Sequence, residues 1–144
     1  MAIAKMYGHY LEQAQSGEHD LLSDDIRVSL HSNSYTPDQD NHEYVDDLSA
    51  EISGTGYTAG GELLTSKTLT YTAATNEVVF DAADLQWENA DFTMRHAVIY
   101  NDTPGTAATK GLMGYVDNQS DITVSGGDFD IVWDADGIQK VTVD

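Results

Sequence analysis

The stretch FTMRHAVIY, from Phe92 to Tyr100, contains the longest apolar run of the chain. A cluster of turn-forming residues, Asn101 to Gly105, follows it directly. A run of apolar, β-branched and aromatic residues that ends at turn signals is typical of a buried β-strand. We therefore predict a central strand here, for which the rest of the chain supplies neighbours.

Shorter segments with a period of two flank this run on both sides. Ile26, Val28 and Leu30 alternate with polar residues. This alternation predicts a half-buried strand, because successive side chains of a strand point to opposite faces. Short apolar segments predict five further strands: Glu77–Asp81, Leu112–Val116, Ile122–Val124, Phe129–Trp133 and Val141–Val143.

Clusters of turn-forming residues separate the predicted strands at intervals of about 8–12 residues. These clusters are Asn33-Ser34, Gly54–Gly56, Gly60-Gly61, Asn101–Gly105 and Gly126-Gly127. The spacing predicts a mainly β fold, an antiparallel β-sandwich or barrel-like domain. At 144 residues the chain has the size of a single domain, 1–144.

Two segments depart from this pattern. Apolar residues recur at helical spacing from Ile3 to Ala14, which predicts a short N-terminal α-helix over residues 1–16 and a β-sandwich over 18–144. The helix packs either on its own domain or on a neighbouring subunit. The second segment, 34–61, is predicted as a long loop, with a short helix from Tyr44 to Ile52. Loops of this length are often functional or form interfaces.

The charge of the chain is its most unusual property. Twenty-five Asp and Glu stand against six Lys and Arg, which gives a formal net charge of −19. The acids are scattered, and the longest runs are pairs such as Asp24-Asp25 and Asp46-Asp47, unlike a disordered acidic tail. Self-repulsion of this size is tolerable in concentrated salt, where the Debye length falls to about 3 Å at 1 M. We therefore expect a folded protein from a hypersaline environment.

The composition also excludes several classes of partner and site. Nucleic acids and anionic membrane surfaces attract clustered Lys and Arg, and the six basic residues form no cluster along the sequence. The chain has no cysteine, so disulfides and thiolate metal sites are excluded. We find no apolar stretch of the length that a signal peptide or a membrane span needs, and we expect synthesis in the cytoplasm.

The sequence contains no recognisable catalytic motif. The five histidines lack the H-x-x-x-H and H-E-x-x-H spacings, and the nucleophile motif G-x-S-x-G is absent. The glycines between Gly54 and Gly61 lack the spacing of a dinucleotide-binding loop and the lysine of a P-loop. We therefore predict no catalytic and no cofactor-binding residues, and a protein that is not an enzyme.

One acidic segment resembles the start of a calcium loop. Asp38, Asp40 and Glu43 offer the carboxylate oxygens that Ca²⁺ prefers. The EF-hand pattern requires Gly at its sixth position and Glu at its twelfth, where this chain has Glu43 and Ser49. The three acids remain weak cation candidates that could hold ions from concentrated salt, and a solvated acidic loop is the favoured interpretation. No defined metal site is predicted.

Eight segments, taken in their order along the chain, form a recognisable set. They are Lys5–Gly8, Asp20–Asp24, Ser34–Asp40, Ser53–Gly61, Arg95–Tyr100, Gly114–Asp117, Gly127–Phe129 and Trp133–Ile138. Together they resemble a family of small proteins encoded among the virion structural genes of tailed viruses of bacteria and archaea. The resemblance covers nearly the whole chain.

This resemblance implies a protein of the virion, in a virus whose host is halophilic, such as a haloarchaeon. It implies a homo-oligomer that decorates the capsid surface or forms a turret, in contact with virion proteins such as the major capsid protein. Two alternatives remain open: a tail or head–tail connector component, and a carbohydrate- or cell-surface-binding module of a tail fibre. For the latter module, Trp87, Tyr35 and Tyr57 are the candidate exposed aromatics.

Overall fold

In the computed structural model, which describes residues 2–144, the chain forms two antiparallel β-sheets, as the strand pattern predicts. The larger sheet has the strand order β1-β7-β6-β2-β3, and the smaller sheet has the order β4-β5-β8. The strands are β1 (Ile3–Met6), β2 (Ile26–His31), β3 (Glu62–Leu63), β4 (Thr68–Thr72), β5 (Glu77–Asp81), β6 (Leu85–Asn101), β7 (Leu112–Ile131) and β8 (Gln139–Thr142).

The predicted central strand is the second half of β6. It lies between β2 and β7, with Val98 opposite Ser29 on one side and Tyr115 on the other. The prediction divides β7 into three strands, whereas the structure has one strand of 20 residues. The residues predicted as turns lie within β7, where the β6–β7 register shifts at several points. Gly127, for example, pairs with Ala90 and does not end the strand.

The main core lies between the two sheets. Val28 and Ile99 from the larger sheet belong to one cluster with Phe80 from the smaller sheet, and Trp87 and Met113 belong to the same cluster. Each of these side chains is almost fully buried. Burying one large apolar side chain contributes about 1.5–3 kcal/mol, so this cluster is the main source of stability.

The second face of the larger sheet is also covered. Val98, Tyr100 and Leu112 pack there with Tyr7 and Tyr35 in a smaller cluster, which segment 34–61 closes. The prediction that β2 is half-buried is therefore wrong: Ser29 and His31, on the polar side of the strand, are buried beneath this segment.

Segment 34–61 is a long connection, as predicted, but its predicted helix from Tyr44 to Ile52 is wrong. A single 3-10 turn, Val45–Asp47, is present, and the backbone of Leu48 is extended. The chain then returns beside β2, where the Ile52 N–H donates to the Leu30 carbonyl. Pairing with the edge of the sheet satisfies the backbone groups that a helix would otherwise satisfy.

A short N-terminal helix is present, as predicted, but it covers only part of the predicted range 1–16, of which residue 1 lies outside the described residues. Residues Ile3–Met6 form β1, antiparallel to β7, and the helix α1 is confined to Tyr10–Gln15. Pairing with β7 provides four residues with backbone partners at a sheet edge, and Gly8 then turns the chain into α1. None of the helices described in residues 2–144 is long and apolar enough to cross a membrane.

Candidate functional sites

An open cavity lies on the second face of the larger sheet, beneath segment 34–61. Its volume is about 630 Å³, within the range of small-molecule sites. Asp102 holds two basic side chains at its rim: the Arg27 Nε lies 2.9 Å from one carboxylate oxygen and the Lys110 Nζ lies 2.7 Å from the other. Glu51 also lines the cavity. These four groups sum to zero formal charge, so the cavity is locally neutral in a strongly acidic protein.

A serine and a histidine touch at the wall of this cavity. The His31 Nδ1 lies 2.7 Å from the Ser49 carbonyl, which can only accept, so Nδ1 carries the proton. The Nε2 of neutral His31 then accepts from the Ser29 hydroxyl at 2.9 Å. A nucleophile and its base have this geometry, but Ser29 is only 3% exposed, which shields its hydroxyl from a substrate. We assign the pair a structural role.

Burial lowers the pKa of His31, and the hydrogen bond to Ser49 opposes that shift in part. Desolvation disfavours the charged imidazolium, so the neutral form persists below the usual pKa of histidine.

Three histidines surround one buried tyrosine. The rings of His31, His42 and His96 lie 5.2, 5.6 and 5.8 Å from the ring of Tyr35. The spacing of these histidines in the sequence gives no sign of the cluster. It forms because His31 and His96 are opposite each other in β2 and β6, while His42 arrives from segment 34–61.

A chain of hydrogen bonds fastens this segment to the sheet. The His42 Nδ1 accepts the Asp38 N–H at 3.3 Å, so the Tyr35 hydroxyl donates to the same nitrogen at 2.9 Å. Tyr35 then accepts from the Tyr7 hydroxyl at 2.8 Å. Burial raises the pKa of Tyr35 to about 12 and raises that of Tyr7 further, which keeps both phenols neutral donors.

The three predicted cation candidates do not converge into a metal-binding cluster. Among residues 2–144, no three His, Asp or Glu side chains come together in a way that could hold a metal ion. The carboxylate of Asp38 instead accepts from the backbone of Asp40 and from the backbone and side chain of Asn41. These hydrogen bonds, led by the one from the Asn41 side chain, lower the pKa of Asp38. Glu43 lies near Gln13, at 3.4 Å.

The three aromatic residues suggested for carbohydrate binding are not exposed platforms. Trp87 and Tyr35 are each 1% exposed, so the prediction that they are exposed is wrong. Tyr57 is half-buried, and its hydroxyl donates to Glu51 and accepts from the Leu30 N–H. Trp87 lies in β6 and packs against Phe129. The period-two alternation of that strand is the sequence signal that should have placed Trp87 in the core.

An uncovered apolar surface lies beside α1, on the inward face of the smaller sheet. Leu11, Leu22, Leu69 and Tyr71 are each at least 40% exposed. A groove of about 600 Å³ runs through this surface. At its floor lies Gln139, whose buried carboxamide nitrogen and oxygen have no hydrogen-bond partner within residues 2–144.

The surface forms because the smaller sheet extends past the core. Phe80 and Gln139 are buried, whereas Leu69 and Tyr71, on the outer strand of the same face, remain 43% and 56% exposed. This surface is not predicted, because no strand is expected at Thr68–Thr72. The alternation Leu69-Thr70-Tyr71 between threonines is the signal that could have predicted it.

Comparisons of the chain with protein-family models, with curated proteins and with solved structures found no match.

Proposed function

We propose that the protein is a structural component of the virion of a tailed virus with a halophilic host. Its copies assemble with one another, on the capsid surface or in a turret, and contact other virion proteins such as the major capsid protein. The proposal combines the sequence resemblance with one structural observation, the uncovered apolar surface beside α1. It includes no enzymatic activity.

The apolar surface is the main structural support for the proposal, because leaving apolar side chains in contact with water is unfavourable. Leu69 and Tyr71 remain exposed in a protein whose composition is otherwise strongly acidic. A contiguous exposed apolar patch on a monomer is usually an interaction site. The unpaired carboxamide of Gln139 beneath the groove supports the same interpretation, because a buried polar group without a partner costs about 1–3 kcal/mol.

The charge distribution supports the halophilic setting. Four of the six basic residues, Arg27, Arg95, Lys110 and Lys140, form ion pairs with acids of the same chain. Most of the remaining acids therefore face solvent without a compensating cation. In concentrated salt, screening removes the repulsion both within one copy and between neighbouring copies.

Quantitative mass spectrometry of purified, salt-washed virus particles tests the proposal. We expect the protein in many copies per particle, at a constant ratio to the major capsid protein through successive density gradients. A host protein of similar mass and charge serves as the control and should be lost on washing. Absence of the protein from intact particles would refute a virion role.

The position in the particle is a separate question. Gold-labelled antibody fragments on intact particles should bind over the whole capsid if the protein decorates it, or at the vertices if it forms turrets. Label confined to the tail or the neck would instead support the tail or connector alternative.

A further inference from the structure

We propose that strand β4 pairs antiparallel with β4 of a second copy, about a two-fold axis at Thr70. The pairing would join two three-stranded sheets into one of six strands. This inference rests on the proposed function, because it names the contact through which copies of the protein assemble.

The outer edge of β4 is unusually open. All five residues, Thr68–Thr72, are exposed, and β4 has a hydrogen-bonded neighbour on one side only, β5. Such an edge presents unpaired backbone N–H and C=O groups that can pair with another strand. The segment is rich in threonine, with one leucine and one tyrosine, which favours a strand.

The other sheet edges within residues 2–144 carry features that oppose such pairing. The edge strand β1 contains Lys5, β8 contains Lys140, and β3 is only two residues long with Glu62. Edge lysines and short edge strands are the usual means of preventing edge-to-edge association. The free part of the β6–β7 hairpin is interrupted by bulges between Trp87 and Asp91. Only β4 lacks all of these protections.

The sequence of β4 is complementary to itself when reversed. With Thr70 opposite its own copy, Leu69 lies opposite Tyr71 of the second copy and Thr68 lies opposite Thr72. A two-fold contact requires this property, because the same patch serves on both sides. Aromatic–aliphatic and Thr–Thr cross-strand pairs each contribute about 0.2–1 kcal/mol.

Charge permits a second copy to approach at this edge. Residues 63–76 contain no acid, although acids make up 25 of the 144 residues. Two copies can therefore approach along β4 without placing carboxylates in direct opposition. Self-association along an acid-rich edge would instead bring like charges together at a cost that depends on salt.

The pairing would also extend the apolar surface across the axis. Leu69 and Tyr71 lie on the same face as Phe80, so the inward faces of both copies would line up side by side. A contact of five residues is small and weak alone. Repeated in a particle with many copies, weak contacts reinforce one another through effective concentration.

Cysteine cross-linking tests the contact directly, because the chain has no cysteine of its own. Opposite residues of an antiparallel pair have Cα atoms about 4.5–5.5 Å apart, which suits a disulfide. We expect Thr70→Cys to form a disulfide-linked dimer under mild oxidation in about 3 M KCl. Thr142→Cys, an exposed threonine on the opposite edge strand β8, is the matched control and should cross-link about tenfold more slowly.

The register is tested by mixing two single variants that carry tags of different mass. Leu69→Cys and Tyr71→Cys should cross-link to each other faster than either cross-links to itself, because position 69 of one copy lies opposite position 71 of the other. Preferential self-linking of Leu69→Cys would overturn the axis at Thr70.

Sedimentation velocity separates the edge contact from the apolar surface. Thr70 lies on the face opposite to Leu69 and Tyr71, so Thr70→Lys leaves the apolar surface intact and places two cations at the axis. We expect it to weaken self-association about tenfold or more, whereas Thr142→Lys should leave it unchanged.

Two outcomes distinguish this inference from the proposed function. Oligomers that persist in Thr70→Lys, with equal cross-linking at positions 70 and 142, would overturn the β4 contact but leave self-assembly intact. The contact would also be overturned if the wild-type protein stays monomeric and the Thr70→Cys variant forms no disulfide-linked dimer. The virion role is decided separately, by the presence of the protein in particles.

Discussion

At the scale of single residues, backbone conformation and burial decide which positions tolerate change. Gly61 has φ +80°, and a Cβ added there would lie 1.8 Å from the Val28 carbonyl oxygen. Gly126 has a similar φ of +74°, but nothing lies within 4 Å of an added Cβ. Substitutions at the two positions therefore differ in one respect. Both strain the backbone through a left-handed φ, but only a side chain at Gly61 also clashes with the backbone of β2.

We expect Gly126→Ala to lower the free energy of unfolding by about 1–2 kcal/mol, the cost of left-handed backbone in an L-residue. Gly61→Ala should lower it by more than about 3 kcal/mol, because the clash adds to the same strain. Denaturant unfolding of both variants in the same salt measures the difference. Equal effects would show that Gly61 can move away from β2.

Burial of His31 predicts a dependence of stability on pH. Its pKa is lowered in the folded state, so the unfolded state binds a proton at higher pH than the folded state does. Stability therefore falls as the pH drops below the usual histidine value of about 6.5. The lowered pKa of His19, also caused by burial, acts in the same direction.

The free energy of unfolding should decrease from about pH 7 to about pH 5, a range above the usual titration of carboxylates. His31→Asn, whose amide can still donate to the Ser49 carbonyl, should show a shallower decrease. His9→Asn is the control, because the His9 side chain is on the surface. An unchanged slope in His31→Asn would contradict the role of His31.

At the scale of elements, segment 34–61 is the part of the chain whose behaviour follows least from its local sequence. It contains a single 3-10 turn, and the hydrogen-bond chain from Tyr7 through Tyr35 to His42 holds it on the sheet. These hydrogen bonds connect the residue after β1 to segment 34–61 on the second face of the larger sheet. If they are lost, segment 34–61 should detach before the rest of the protein unfolds.

A double-mutant cycle tests this attachment. Tyr35→Phe should cost about 1–3 kcal/mol, because it leaves the buried Tyr7 hydroxyl without its partner. The double variant with Tyr7→Phe should cost no more than Tyr35→Phe alone, because both partners are then removed. Tyr71→Phe, at an exposed tyrosine, is the control and should stay within about 0.5 kcal/mol.

Hydrogen exchange identifies the element that responds. Amides of residues 34–50 should lose protection in Tyr35→Phe, while those of the β6–β7 pairing should keep it. Uniform loss of protection across the molecule would mean that the tyrosine chain stabilises the whole fold and does not act as a local attachment.

At the scale of the whole molecule, the acid surplus dominates behaviour in solution. We expect the melting temperature to rise strongly from about 0.1 M to about 1 M KCl, because the Debye length falls from about 10 to about 3 Å in that range. Changing five exposed acids to their amides should raise the melting temperature in low salt and flatten this dependence. The positions are Asp25, Asp40, Asp46, Glu88 and Asp91. A melting temperature independent of salt would contradict the halophilic interpretation.

The strand pattern alone was sufficient for much of the architecture, because period-two burial is a local property. It predicts the central strand from Phe92 to Tyr100, the strand at Ile26 and the antiparallel fold class. The N-terminal helix is wrong for Ile3–Met6, because pairing with the distant β7 outweighs a helical spacing. Strand β4 is also missed, because its alternation of Leu69, Thr70 and Tyr71 is short and all five of its residues are exposed.

The sequence by itself therefore determined the fold class and the charge, and with the charge the expected response to salt, since both are properties of composition and of neighbours in the chain. The tertiary structure decided the functional surfaces. It buried Trp87 and Tyr35, gathered three histidines around one tyrosine, and left the edge and inner face of β4 uncovered. These features depend on which distant segments pair and on what remains unpaired afterwards, and no local pattern encodes that remainder.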